Sequence, residues 1–163
     1  MVPVRLFDLS HAADTDDWYT PSWIFEELDE VFDLDVAAPP GGVPWIPAGR
    51  SFSLEDNGLA QQWVGFVWCN PPYSAPFPWC DKWVLHGNGI IVLRADLSTR
   101  GPAAAFAAAT SLFVPTPRLQ FVNGFGEKAG SVNFSTVLLG LGDRANAALS
   151  RLDSRGIVRR LQT

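Results

Sequence analysis

The residues Asn70-Pro71-Pro72-Tyr73 combine types and spacing that suit one kind of chemistry. They follow the apolar run Val64-Gly65-Phe66-Val67-Trp68-Cys69 and precede a segment of helical character. A carboxamide, two rigid prolines and an aromatic ring at the end of a strand make a clamp for a planar ring that bears an amino group. The amino group of adenine is a poor nucleophile because its lone pair is delocalised into the ring. The Asn70 side-chain oxygen and the Pro71 carbonyl can each accept one of its N–H bonds. Two acceptors so held favour a pyramidal nitrogen and stabilise the positive charge that develops as it attacks. Proline fixes φ and so aims the Pro71 carbonyl in advance, and Tyr73 offers a face for stacking, worth about 1–3 kcal/mol per base. The chemistry requires neither a metal nor a covalent intermediate, and the electrophile it suits is a sulfonium methyl held in line at near-attack distance.

A second loop has the make-up of a ligand site. Asp35 closes a short apolar segment and is followed by Val36, Ala37, Ala38 and then Pro39-Pro40-Gly41-Gly42. An acidic residue followed by small ones allows close approach of a nucleoside-type ligand, and in open α/β sheets ligands bind outside the carboxyl ends of the strands.

The pattern of the chain supplies the elements that hold these loops. Thr20 as N-cap and Pro21 as first helical residue start a helix, with Ile24, Leu28, Val31 and Phe32 on one face at helical spacing. A short strand over 32–38 and a loop rich in Pro and Gly over 39–49 follow. Residues 64–69 read as a buried strand, 76–86 as a segment containing a short helix, and 89–93 as another buried strand. Ser98 is placed to cap an Ala-rich helix over 102–109, and 111–114 form the next strand. Residues 119–122 and 132–139, around a Gly-containing connection, read as an antiparallel pair. From Asp143 onward the tail reads as a helix with a basic end, and residues 1–17 as an arm. Together these predict a single three-layer α/β domain over 1–163 that ends in a C-terminal antiparallel strand pair.

Composition narrows the class. With 163 residues, 47% of them hydrophobic and 18% charged, the chain has the make-up of a globular domain with a real core. No apolar run approaches the roughly 20 residues of a membrane span. Met1-Val2-Pro3-Val4-Arg5 lacks the pattern of a secretory signal. Cys69 and Cys80 are too few for a disulfide framework, and with only His11 and His86 besides they disfavour a zinc cluster. A cytoplasmic setting is the default. The net charge of −5 is uneven: residues 1–35 hold ten carboxylates and one Arg, whereas residues 36–163 hold seven carboxylates and eleven Lys or Arg. A face drawn from the second stretch is able to attract phosphates.

Several segments in order resemble the phage-type (Dam-like) N6-adenine DNA methyltransferase family. Asp17-Trp18-Tyr19-Thr20-Pro21 resembles its Trp-Tyr-Thr-Pro element, and Phe32-Asp33-Leu34-Asp35-Val36-Ala37-Ala38 its Phe-x-x-Asp-x-Ala-Ala element. Asp56-Asn57-Gly58-Leu59, Trp63 and Asn70-Pro71-Pro72-Tyr73-Ser74 resemble the stretch that leads into its catalytic motif, followed by Trp79 and Lys82. The segment 92–99, then Arg118-Leu119-Gln120-Phe121 and Phe134-Ser135-Thr136-Val137-Leu138, are similar to its later strands.

The resemblance implies a Rossmann-like methyltransferase domain, S-adenosylmethionine as methyl donor and DNA, double- or single-stranded, as partner. It implies Asn70, Pro71, Pro72 and Tyr73 as catalytic residues. Tyr19, Thr20 and Pro21 would line the methionine end of the cofactor, Asp35, Ala37 and Ala38 the first-strand element, and Asp56 the adenosine end. Only 35 positions separate Asp35 from Asn70, so the N-terminal, nucleotide-binding half is expected to be reduced. There is no room for a separate recognition domain, so nucleic-acid contacts fall to Lys82, Arg100, Arg118 and Lys128 and to the loop 124–130. Trp45 is the aromatic residue outside the expected core. A duplex target must be flipped from its stack at a cost of a few kcal/mol. Methylation of RNA adenine or protein glutamine, or a decayed binding protein, are the competing readings.

Overall fold

The computed structural model describes residues 18–128 and 134–161; the expected arm over 1–17 and the start of the expected strand at Val132 lie outside the described residues. Three strands run parallel side by side: β1 (Leu34–Asp35), β2 (Val67–Cys69) and β3 (Gly89–Arg94). β4 (Ser111–Pro115), β5 (Thr136–Leu141) and β6 (Gly156–Arg160) extend the sheet with antiparallel pairings, to give the order β1-β2-β3-β5-β4-β6. The helices are α1 (Ser22–Leu28), α2 (Phe77–His86), α3 (Arg100–Ala108) and α4 (Asp143–Ser150).

Successive strand residues point to opposite faces, and the core divides accordingly. Trp68, Ile90, Val92, Phe113 and Leu138 join Ile24, Phe25 and Leu28 of α1 and Ala145, Ala148 and Leu149 of α4. Val67, Cys69, Ile91, Leu93, Val137 and Leu139 join Cys80 and Trp83 of α2 and Ala105 of α3. The mixed α/β domain therefore carries helices on both faces of one sheet. Aromatic rings fill the first face: Phe32 stacks on Phe66 with centroids 4.9 Å apart, and Phe25 meets Trp68 edge-on at 4.7 Å.

The crossover from β1 to β2 contains no helix, in keeping with a reduced N-terminal half. Residues 47–52 instead lie along the open edge of β1, through backbone bonds such as Asp35 N–H to Arg50 O and Phe52 N–H to Asp35 O, both 2.9 Å. The register Asp35↔Trp68 and Cys69↔Ile91 brings the loops after β1, β2 and β3 out at the same end of the sheet.

Four sequence expectations are corrected. Helix α1 begins at Ser22 with extended Pro21 in the cap position, so Thr20 makes no cap; the chain needs residues 18–21 as an extended strap. The helix ends at Leu28, where Asp29 turns left-handed at φ 47°, and Val31 is 63% exposed and off the buried face. Helix α3 starts at Arg100 behind Thr99; the Ser98 hydroxyl donates to Asp96 Oδ1 instead of capping. Residues 119–122 do not pair with β5. Val122 makes only isolated bridges, to Tyr19 and Lys128, because both edges of β5 are taken by β3 and β4. The expected C-terminal strand pair is thus replaced by three antiparallel pairings. The fourth correction is the tail, whose last part is strand β6; Gly156 to Arg160 cover the edge that β4 would otherwise leave open.

The acidic first stretch is partly neutralised within the fold. Arg144 pairs with Glu30 at 2.9 Å, Arg151 with Glu30 at 3.4 Å and Arg155 with Glu27 at 2.5 Å. The arginines of these pairs are about half-exposed, and each pair is worth at most about 1 kcal/mol. Phe32, buried completely between Phe25, Phe66 and Trp68, should matter more. Phe32→Ala is expected to lower the unfolding free energy by about 3–5 kcal/mol, and Arg155→Ala by less than about 1 kcal/mol, as read from urea-unfolding midpoints.

Candidate active site

Asn70 is the first residue beyond β2, and an extended strap of residues 18–21 meets it there. Its Nδ2 donates to the Trp18 carbonyl at 2.9 Å. With the amide nitrogen so engaged, Oδ1 is the end of the group left to accept from a ligand. The strap is tied on both sides. Tyr19 exchanges two backbone hydrogen bonds with Val122, at 3.1 and 3.0 Å, and Trp45 Nε1 donates to the Thr20 carbonyl at 2.8 Å. Trp45, set apart by its position in the Pro-rich loop, thus ties that loop to the strap.

Tyr73, three residues beyond Asn70, is packed into the core. Its ring meets Phe121 edge-on at 5.9 Å and Phe134 at 5.5 Å, and it is 8% exposed. Burial pushes the phenol pKa well up, so the side chain stays neutral. Its hydroxyl is buried with no hydrogen-bond partner, as are Trp18 Nε1 and Thr20 Oγ1. Tyr73 borders a cavity of about 460 Å³, together with Phe77, Leu93, Arg94, Asp96 and Arg100. The Arg94 guanidinium lies 4.3 Å from the Phe134 ring centroid and that of Arg100 lies 4.2 Å from the Phe77 centroid. Arg94 and Asp96 were not among the expected site residues. The signal for them is the position of 94–96 at the carboxyl end of β3, beside the loop that follows β2.

On the other side of β2, the Asp35 carboxylate is buried and accepts one backbone N–H, from Ala37 at 3.3 Å. Burial pushes its pKa up to about 7 against the smaller opposing effect of that bond. It lines a small cavity of about 170 Å³ with Gly41, Gly42, Arg50 and Ser51. The left-handed φ values of Gly41 and Gly42, 83° and 75°, let the loop turn back over Asp35. Ala38 is buried and its N–H bonds to Phe52 O at 2.9 Å.

Other expected site residues lie elsewhere. Asp56 is fully exposed and lines neither cavity; its carboxylate accepts from the backbone N–H and hydroxyl of Ser53, at 2.8 and 3.1 Å, which hold its pKa below the usual value. Lys82 Nζ donates to the carbonyls of Leu59 (2.7 Å) and Gln61 and sits 5.3 Å from the Trp63 ring centroid. It braces a loop. Arg100 alone of the four expected cations borders the Tyr73 cavity, while Arg118 and Lys128 are exposed on the segment between β4 and β5. Both cysteines are free and buried; burial pushes the Cys80 thiol up to about 12 and the Cys69 thiol well above its ordinary value, which makes them inert. Among the described residues no three His, Cys, Asp or Glu gather as metal ligands, and no helix is long and apolar enough to cross a membrane.

The family model described as DNA N-6-adenine-methyltransferase (Dam) matches residues 9–153. The DNA N-6-adenine-methyltransferase of Haemophilus phage HP1 (strain HP1c1) is 29% identical to this chain over 136 residues, which cover 78% of this chain and 79% of the phage protein.

The buried carboxylate leads to a pH test. Folded Asp35 keeps its proton to about pH 7, whereas the unfolded side chain releases it near 3.8. The folded state therefore binds more protons between those values, and unfolding free energy should fall as pH rises from about 4 to about 7 and then level off. Asp35→Asn should flatten that slope and leave a protein more stable than the wild type at pH 8, as measured by urea unfolding across pH. An unchanged slope would show that Asp35 is ionised throughout.

Proposed function

The chain belongs to the DNA N-6-adenine-methyltransferase (Dam) family and is by that membership an adenine-specific DNA methyltransferase; from this premise we propose that it moves a methyl group from S-adenosylmethionine directly, in line, to the N6 nitrogen of an adenine flipped from duplex DNA or presented by a single strand. The hydrogen bond from Asn70 Nδ2 to the Trp18 carbonyl carries this reading. It orients the carboxamide before any substrate arrives, and a preoriented acceptor stabilises developing charge without reorganisation.

The clamp works through acceptors. Asn70 Oδ1 takes one N6–H and the Pro71 carbonyl the other, which favours a pyramidal nitrogen whose lone pair is less delocalised into the ring. Positive charge grows on N6 as the new N–C bond forms, and both oxygens stabilise it. An amide oxygen is too weak a base to keep the proton, so the proton leaves to water after transfer. Tyr73, neutral and held edge-on by Phe121 and Phe134, supports the base from the side of the larger cavity. Phe77 and Leu93 provide apolar walls there, and Arg94 and Arg100 offer guanidinium groups to a phosphate.

The residues present fit the cofactor. Asp35, in its small cavity, suits a cationic or hydroxyl-bearing ligand, and the buried Trp18 Nε1 and Thr20 Oγ1 are polar atoms without protein partners. A buried polar atom left so costs about 1–3 kcal/mol, which a ligand can recover. Tyr19, Thr20, Pro21, Asp35, Ala37 and Ala38 would hold S-adenosylmethionine, whose contribution when bound is a methyl group on a positively charged sulfur. The parallel β1-β2-β3 set, with its ligand loops at the carboxyl ends, supports a Rossmann-like frame whose nucleotide-binding half is cut down. The setting proposed is the cytoplasm of a bacterial host.

Incubation with tritiated S-adenosylmethionine and DNA, followed by nucleoside analysis, tests the proposal. Label is expected in N6-methyladenine, and Asn70→Ala should lower the transfer rate at saturating cofactor by about 10²–10³-fold. Label found only in RNA or protein would refute the DNA reading.

A further inference from the structure

The turn over 123–127 presents an aromatic ring to solvent on a braced backbone. Phe125 is 74% exposed. The Asn123 side chain braces the turn from inside: Oδ1 accepts the backbone N–H of Phe125 at 2.9 Å and of Glu127 at 3.1 Å, and Nδ2 donates to Glu127 Oε2 at 3.1 Å. Backbone bonds from Asn123 N–H to Glu127 O and from Gly126 N–H to Asn123 O complete it, at 2.9 and 3.0 Å. The bridge Val122↔Lys128 closes its base.

The position of this turn distinguishes Phe125 from other exposed apolar residues such as Leu54 and Leu85. A Cβ at Gly124 would lie 3.6 Å from the Tyr19 ring, and one at Gly126 would lie 3.9 Å from the Trp45 ring. The turn therefore rests on the strap that orients Asn70. Phe121, four residues before Phe125, touches Tyr73. An exposed ring on a braced backbone turn thus stands beside the strap that meets Asn70. Lys128 is exposed at the foot of the turn, while the one carboxylate there, Glu127, is engaged by Asn123.

An adenine in a duplex is paired and stacked, and its removal leaves a gap between neighbouring base pairs. An apolar wedge inserted between base steps unstacks them and holds such a gap open. We propose that Phe125 is this wedge: it enters the base stack of duplex DNA where the target adenine leaves, and Lys128 meets the adjoining backbone phosphate. This rests on the reading of DNA adenine as substrate. The bracing by Asn123 means the backbone that carries the ring loses little freedom on insertion, and the approach of Gly124 to the Tyr19 ring keeps the turn beside the strap that meets Asn70.

The test compares wild type, Phe125→Ala and Phe125→Trp on two DNAs of one sequence, a fully paired duplex and the corresponding single strand. Phe125→Ala should lose about tenfold to a hundredfold in kcat/KM on the duplex, in line with the worth of one base stack, and stay within about twofold of wild type on the single strand; Phe125→Trp should retain activity on both. With 2-aminopurine in place of the target adenine, the fluorescence rise on binding duplex should appear with wild type and vanish with Phe125→Ala. An equal loss on both DNAs, or no loss on the duplex, would overturn the wedge and leave the substrate assignment standing. Failure of the wild type to methylate either DNA would overturn that assignment and the wedge with it.

Discussion

One hydrogen bond, from the Asn70 carboxamide nitrogen to the Trp18 carbonyl, joins two stretches of chain on which everything else at the site depends. Residue 70 belongs to the end of a central parallel strand and residue 18 to the start of the described chain. The strap between residues 18 and 21 continues to the Val122 backbone and to the Trp45 indole. Strand end, Pro-rich loop and the segment after β4 are therefore fixed relative to each other through four consecutive residues. The carboxamide gains a set orientation from this. An Asn side chain without it would turn about its last torsion, which has a broad, roughly two-fold profile, and would present oxygen and nitrogen to a ligand about equally.

A second constraint comes from the shortness of the segment between Asp35 and Asn70. β1 is only two residues long and would leave an open edge if nothing paired with it. Residues 47–52 supply that pairing as irregular backbone, so the domain has no helix where a fuller nucleotide-binding half would have one. The same loop turns back through Gly41 and Gly42 to close the small cavity over Asp35. The result is a carboxylate held largely from water with one weak backbone donor, which is why its proton is retained toward neutral pH. Covering the sheet edge and shaping the expected cofactor pocket are one structural act here.

Much of this was legible in residues. The apolar runs at 64–69 and 89–93 announce β2 and β3, and the Ala-rich run announces α3, because burial on both faces or on a stripe leaves a direct pattern. The proposed clamp draws attention for a different reason: Asn-Pro-Pro-Tyr is short, rigid and chemically specific. What escaped was set by long-range pairing. Nothing local tells that β5 inserts between β3 and β4, that residues 119–122 bridge to Tyr19, or that the tail ends in a strand. The cap at Thr20 was misread because the extended backbone of the strap competes with helix initiation, and Pro21 serves either. Charged side chains likewise take partners that no local pattern announces. Lys82 is consumed by two carbonyls, Asp56 by a serine, and Arg144, Arg151 and Arg155 by the acidic face of residues 27–30. With those removed, the cations at Arg94 and Arg100 stand out beside Tyr73, and the overall negative charge says little about the face that meets DNA.

A clamp oriented before substrate binds would be reported directly by the Asn70 side-chain amide. In an ¹⁵N-edited NMR spectrum of the free protein, one of the two Asn70 amide protons should exchange with solvent at least about tenfold more slowly than those of exposed Asn57, as expected for a donor held in a hydrogen bond whose opening is needed for exchange. Trp45→Phe, which replaces the indole with a smaller ring and so removes the N–H that anchors Thr20, should bring that rate closer to the exposed value. Two Asn70 amide protons that exchange as fast as those of Asn57 in the wild-type protein would contradict a preoriented clamp.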